Sequence, residues 1–278
     1  MSDISVLMSV YKSEKPEYLN KSLQSIWEDQ IEKPHKIVLV QDGPLSDDLK
    51  SVISNWKSII GDSFTLIKNE KNIGLTKSLI RGLEVIDTKY VARMDSDDIS
   101  LPERFVKQVA FLDSHPKIAV VGCNIQEFSE TRGNMGIRRF PQTTIEAKNT
   151  IYKANPLAHP AVMMRKSMFD EGVSYNPNYR TTQDLALWFD VLSAGYEVAN
   201  IDEVLLKFRR EDSIYHRRSN WKDSWLEFKI HEKGIYKLYG IAPYKSLFPV
   251  ARFMIRFLPS SVLKKLYNGK LREKVANS

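Results

Sequence analysis

Apolar, strand-like runs and helix-like stripes take turns along the first 123 residues, and that alternation admits only a small set of folds. Residues 4–11 form an apolar run rich in strand-favouring residues, and Leu19, Leu23, Ile26 and Trp27 then recur at helical spacing. Residues 37–40, 64–67, 90–94 and 118–123 supply four further strands. Between them Leu49, Val52, Ile53, Trp56 and Ile60 mark one helix and Leu75, Leu79, Leu83 and Ile86 another, while residues 102–112 form a third. Such strands separated by amphipathic helices predict an α/β fold, a mainly parallel central sheet flanked by helices. Ligands of these sheets bind beyond the carboxyl ends of the strands. Asp42 and Asp95 follow the second and fourth strands and therefore belong to that crevice.

The pattern weakens over residues 124–158, where Gly133, Gly136 and Pro141 indicate an irregular or hairpin region. Residues 161–164 read as a short strand. Thr181 or Thr182 can cap a helix carrying Asp184, Leu187, Trp188, Val191 and Leu192, which Gly195 stops. Residues 204–208 form a short strand and 221–239 a helix. The length of 278 residues suits one large domain with an appendage, which we divide as 1–240 and a C-terminal helical extension, 241–278. The lone Cys123 excludes an intrachain disulfide and a cysteine-based zinc site, and it fits a reducing, cytoplasmic compartment. The N-terminus lacks the basic start and apolar core of a signal peptide, and no run approaches the ~20 apolar residues of a spanning helix.

The net charge of +7 is unevenly placed. Residues 244–278 hold eight Lys/Arg and one acid, Glu273, which leaves 33 basic and 33 acidic residues before them. Nucleic acid is not an expected partner, because the basic excess lies in an apolar-rich tail. That tail reads as helical pieces at about 246–258 and 260–267, separated by Pro259. Phe248, Ala251, Ile255 and Leu258 share one face, and Arg252 and Arg256 another. A helix of this kind lies in a membrane interface beside anionic lipid. The other reading is a terminal helix packed on the domain with a basic solvent face.

Three carboxylates in four residues, Asp95-Ser96-Asp97-Asp98, follow the fourth strand. Mg²⁺ and Mn²⁺ prefer such oxygen ligands, and a cation relieves the repulsion among them. Taken alone, the run is more simply a solvated acidic turn that caps the helix starting near Pro102.

Five segments in order alter that balance. They are Ile4-Ser5-Val6-Leu7-Met8-Ser9-Val10-Tyr11, Val38-Leu39-Val40-Gln41-Asp42-Gly43, Asn69-Glu70-Lys71-Asn72-Ile73-Gly74-Leu75, Met94-Asp95-Ser96-Asp97-Asp98 with Leu101-Pro102-Glu103-Arg104, and Gln183-Asp184-Leu185-Ala186-Leu187-Trp188. Over roughly residues 3–215 the chain resembles the family 2 glycosyltransferases of the GT-A fold. The segment His159-Pro160-Ala161-Val162-Met163-Met164-Arg165-Lys166 further resembles bacterial members that build O-antigen or capsule repeat units.

The resemblance implies an inverting, metal-dependent transfer of a hexose or N-acetylhexosamine. The donor is a UDP-sugar, UDP-Gal or UDP-Glc being favoured, and the acceptor a polyprenyl-diphosphate-linked saccharide. An α-linked donor then gives a β-linkage. Asp97 is implied as ligand of Mn²⁺ or Mg²⁺, Asp95 as ribose contact and Asp98 as support. Asp42 is implied at the nucleobase, with Tyr11 lining that pocket and Lys77 reaching the nucleotide, although Ile80 stands where many relatives have Asn. Asp184 matches the family's base, which takes the acceptor hydroxyl proton; a helix N-terminus tends to hold its pKa low. Arg209 and Arg210, with His216, Arg217 and Arg218, match a basic loop that closes over the diphosphate, and His216 is a further candidate metal ligand. His159 either contacts the acceptor or packs. The location implied is the cytoplasmic face of the cell membrane, held peripherally by the tail.

Two other functions compete. A non-catalytic sugar-nucleotide-binding or scaffold protein could share the fold, but the joint presence of Asp95, Asp97 and Asp184 speaks against it. A metal-dependent phosphatase could also use clustered aspartates, but the Asp-x-Asp-x-Thr pattern expected near the N-terminus is missing.

Overall fold

The computed structural model describes residues 3–210 and 221–255. The first four strands, β1 (Ile4–Val10), β2 (Lys36–Asp42), β3 (Phe64–Asn69) and β4 (Tyr90–Asp95), form a parallel sheet in the order β3-β2-β1-β4. Side chains along β1 alternate between two cores, as a period of two requires. Ile4, Val6, Met8 and Val10 face α1 (Pro16–Trp27) and α2 (Asp47–Ile60). Leu7 faces α3 (Leu75–Leu83) in the second core. Burial on both faces explains why these strands read as continuous apolar runs.

Beyond β4 the sheet changes character. The short bridge β5 (Ile99–Ser100) leads into α4 (Arg104–Ser114). β6 (Ile118–Ser129) then folds back on β7 (Gly133–Arg138), the hairpin expected from the glycines. After α5 (Thr144–Thr150), β8 (Met163–Arg165) inserts antiparallel between β4 and β6. Helices α6 (Lys166–Asp170) and α7 (Gln183–Ser193) lead to β9 (Glu197–Arg209), parallel to β6 and antiparallel to β5. The sheet is thus parallel in its first half and mixed in its second.

The strand expected at 204–208 is the end of this 13-residue β9. Its first half hides behind polar letters. The buried Asn200 side chain bonds the Pro141 and Pro156 carbonyls, and Asp202 accepts from Asn124 and Arg139. Helix α8 (Trp221–Tyr239) has the expected bounds. The first tail piece appears as α9 (Pro243–Ile255), and the second lies outside the described residues.

Candidate functional site

Helix α4 is not capped by the acidic run: its cap is Glu103, without a side-chain bond. Asp95, Asp97 and Asp98 instead converge at the end of β4, each offering a carboxylate oxygen within 4.8 Å of the others. Asp98 is fully buried, and one oxygen accepts the Arg209 backbone N–H at 2.8 Å. Its other oxygen is buried without a partner among the described residues. Burial, then Asp97 and Asp95, raise its pKa well above the ordinary carboxylate value. Asp97 is pushed up to about 7 by burial and by the neighbouring Asp95 and Glu14. A buried, partnerless oxygen among repelling carboxylates is the donor set a hard divalent cation satisfies.

Two charged residues at this cluster carry no periodic or motif signal of their own. Glu14, on the loop after β1, accepts from the Ser96 hydroxyl and adds a fourth carboxylate. Arg93, buried on β4, pairs with Asp95 and keeps Nε and Nη1 without partners among the described residues. Its side chain shares the sheet face of Val91, the face that also meets α7, so it reaches electrostatically to Asp98 and to Asp184.

Arg209 is not a loop cation. It ends β9, is 3% exposed, and stacks over Tyr18 at 3.8 Å and Phe128 at 4.6 Å. Its guanidinium donates to the Asp97 carbonyl at 2.7 Å and pairs with Glu130. These bonds tie Arg209 to the acidic turn, while its Nη2 is buried without a partner among the described residues. Arg210 pairs with Glu127 at 2.6 Å. His216, Arg217 and Arg218 lie outside the described residues.

At the opposite end of the crevice, Asp42 is buried and already engaged. One oxygen accepts from Asn69 Nδ2 and the Ile73 N–H, the other from the Gly74 N–H at 2.9 Å. It therefore ties the loop after β3 to the sheet, and the second oxygen keeps one acceptor position free. Arg81, exposed on α3, joins this network through Asn69. Tyr11 is 39% exposed beyond β1, and Lys77 is exposed on the first turn of α3.

Asp184 occupies the first turn of α7, as its helical register requires. The preceding Thr182 has φ of 60°, the sole non-glycine residue in the left-handed region among the described residues. For a β-branched side chain that conformation is strained, and strain of this kind gathers at functional sites. The expectation of a low pKa for Asp184 is reversed. Burial raises it, outweighing the helix-start N–H groups of Leu185 and Asp184, Arg93, and a 2.6 Å bond from Asn155. A base of raised pKa holds a proton better, which suits the transfer. His159 packs among aromatic residues. It is buried, bonds the Tyr175 hydroxyl at 2.7 Å and meets Trp188 edge-on, and burial with the nearby Arg93 holds its pKa well below 6.5.

A model of the family described as "Glycosyl transferase family 2" matches residues 5–173. The chain is 35% identical over 264 residues to the amylovoran biosynthesis glycosyltransferase AmsE of Erwinia amylovora, covering 95% of this chain and 97% of that one. It is 30% identical over 274 residues to an Escherichia coli UDP-Gal:alpha-D-GlcNAc-diphosphoundecaprenol beta-1,3-galactosyltransferase, covering 96% of each. Among solved structures it resembles S. aureus TarS 1-349 in complex with UDP-GlcNAc, with a TM-score of 0.68, 18% identity, and coverage of 92% of this chain and 72% of that one. At that identity the structural likeness bears on the fold alone.

Proposed function

This chain belongs to glycosyl transferase family 2, and we propose that it is an inverting, metal-dependent member. In this reading it moves a hexose or N-acetylhexosamine from UDP to a lipid-diphosphate-linked sugar and forms a β-linkage, as a step in bacterial surface polysaccharide assembly. One observation carries the reading: Asp95, Asp97 and Asp98 converge around a buried, partnerless Asp98 oxygen, while a separate carboxylate, Asp184, starts a helix across Arg93. UDP-Gal as donor and a diphosphate-lipid acceptor are supported by the name of the E. coli relative, and UDP-Glc is the other donor we favour.

Asp97 would hold Mn²⁺ or Mg²⁺ with Asp98, while Asp95, ion-paired with Arg93, faces the ribose. The cation's contribution is to neutralise charge gathering on the departing diphosphate. Asp42 and the loop it ties form the nucleobase wall beside Tyr11, and Lys77, exposed on α3, reaches the nucleotide. Arg210, paired with Glu127, belongs to the donor side. Asp184 takes the proton from the attacking acceptor hydroxyl, so acceptor oxygen bonds to the anomeric carbon as the bond to UDP breaks.

The test is turnover of a UDP-sugar panel with a GlcNAc- or GalNAc-diphosphate-lipid analogue, with product linkage read by NMR. Transfer should require Mn²⁺ or Mg²⁺ and be lost in Asp97→Ala. Full turnover in chelator, or an active Asp97→Ala, overturns the mechanism.

A further inference from the structure

Asn155 is the neighbour whose side chain reaches the Asp184 carboxylate. It sits on the segment between α5 and the turn His159–Ala161, one residue before Pro156, whose carbonyl is held by Asn200 of β9 at 3.1 Å. An ionised carboxylate has only acceptors, so the amide nitrogen must face Asp184; the donor–acceptor distance is 2.6 Å. That orientation turns the amide oxygen the other way, where it is buried with no partner among the described residues. An unpaired buried oxygen is a net cost to folding. Packing alone favours an apolar side chain of the same volume, so the amide is explained by what its nitrogen does.

We propose that Asn155 is a positioning residue for the transfer reaction: its amide pins one oxygen of Asp184 and turns the other toward the acceptor hydroxyl. The inference rests on Asp184 being the base. Other groups around Asp184 act differently. Arg93 comes from β4, Tyr175 from the segment between α6 and α7, and Arg138 from β7. None of these three side chains hydrogen-bonds Asp184 among the described residues, and the Tyr175 hydroxyl is engaged with His159. The backbone N–H groups at the start of α7 also bond the Asp184 carboxylate, from its own chain segment, whereas Asn155 reaches it from a separate segment of the fold. Asn155 also stabilises the charged form of Asp184, so its removal raises the pKa of the base. The acid limb of the kcat profile, where the base protonates, then moves to higher pH.

The experiment uses the full chain with Mn²⁺, a UDP-sugar it turns over and a diphosphate-lipid acceptor. Asp184→Asn, Asn155→Ala and Asn155→Asp are compared, with UDP–Mn²⁺ binding by calorimetry as the check on folding. Asn155→Ala should lower kcat about 30-fold with the donor KM changed by no more than about twofold. Its acid limb should move to higher pH. Asn155→Asp keeps the volume and adds a like charge, so its limb should rise further. An inactive Asp184→Asn beside Asn155 variants with unmoved kcat and limb sinks this inference and leaves the base standing. An active Asp184→Asn removes the base reading, and the inference with it.

Discussion

Asp97, its pKa pushed up to about 7, is contested at neutral pH between a proton and a cation. Metal affinity should fall about tenfold per pH unit below that point, because each bound ion must displace the proton. Stability follows with a definite sign. In the unfolded chain Asp97 loses its proton near 3.8, in the folded chain near 7. Between these values the folded state holds more protons, so the metal-free protein loses stability as pH rises from about 4 to 7. Thermal melts in chelator should show Tm falling over that window, and Mn²⁺ should restore it at pH 7.5. Asp97→Asn should flatten the slope. A chelated wild type whose Tm rises steadily across the window contradicts the burial of uncompensated charge. Arg93 is the counterweight: Arg93→Met leaves Asp95 facing Asp97 and Asp98 without its ion pair, a loss of about 3–5 kcal/mol for a fully buried pair, and less here because Asp95 is partly exposed. Urea unfolding measures it.

At the level of elements, what repeats was legible in the sequence and what acts once was not. The parallel strands announce themselves because both faces are buried, and α7 because Leu187, Trp188, Val191 and Leu192 fall in register. Asp95, Asp97, Asp98 and Asp184 were readable because each follows or begins a recognisable element. Glu14, Arg93 and Asn155 carry no period, and their partners lie 82, 2 and 29 positions away, so only the fold reveals them. Arg209 was readable as a cation but not as a buried one, since its burial depends on Tyr18 and Phe128. Packing explains Gly82 in the same way. A glycine inside α3 weakens the helix, yet a Cβ there would lie 2.2 Å from Leu7 Cδ1 and 3.2 Å from Val40 Cγ2. The helix thus rides close on β1 and β2, and its start, Gly74, is tied to Asp42. Gly82→Val should cost about 1–3 kcal/mol of stability from overpacking. It should also weaken UDP binding, because lifting α3 disturbs the Asp42 loop. Denaturant unfolding with calorimetry checks both effects.

For the whole molecule the open relation is between domain and tail, and α9 combines both readings of it. Its inner face is fastened: Phe253 packs on Trp225 and Phe228, Phe248 meets Tyr152, and Lys245 lies over the rings of Tyr152 and Tyr239 at 4.1 and 4.2 Å. Its outer face is not polar, as a helix facing only water requires. Tyr244, Leu247, Val250 and Met254 are exposed there, with Ile241 before them and Tyr236 on α8. No helix among the described residues is long and apolar enough to cross a membrane. The chain continues through residues 256–278 with six Lys/Arg and one acid. An apolar face leading into a basic segment matches an interface with anionic lipid, where each cation near the surface adds about 1 kcal/mol. We therefore expect the protein to float with vesicles containing anionic lipid and to stay behind with zwitterionic ones. Leu247→Glu with Met254→Glu should abolish flotation while leaving UDP binding intact, since neither residue belongs to the donor site. Ending the chain after residue 255 should keep the fold, because the aromatic contacts of α9 remain, and should remove the preference for anionic lipid. Equal flotation with both vesicle types would mean that the apolar face docks without help from charge. No flotation in the intact chain would overturn the membrane reading and leave the other one, a terminal helix packed on the domain.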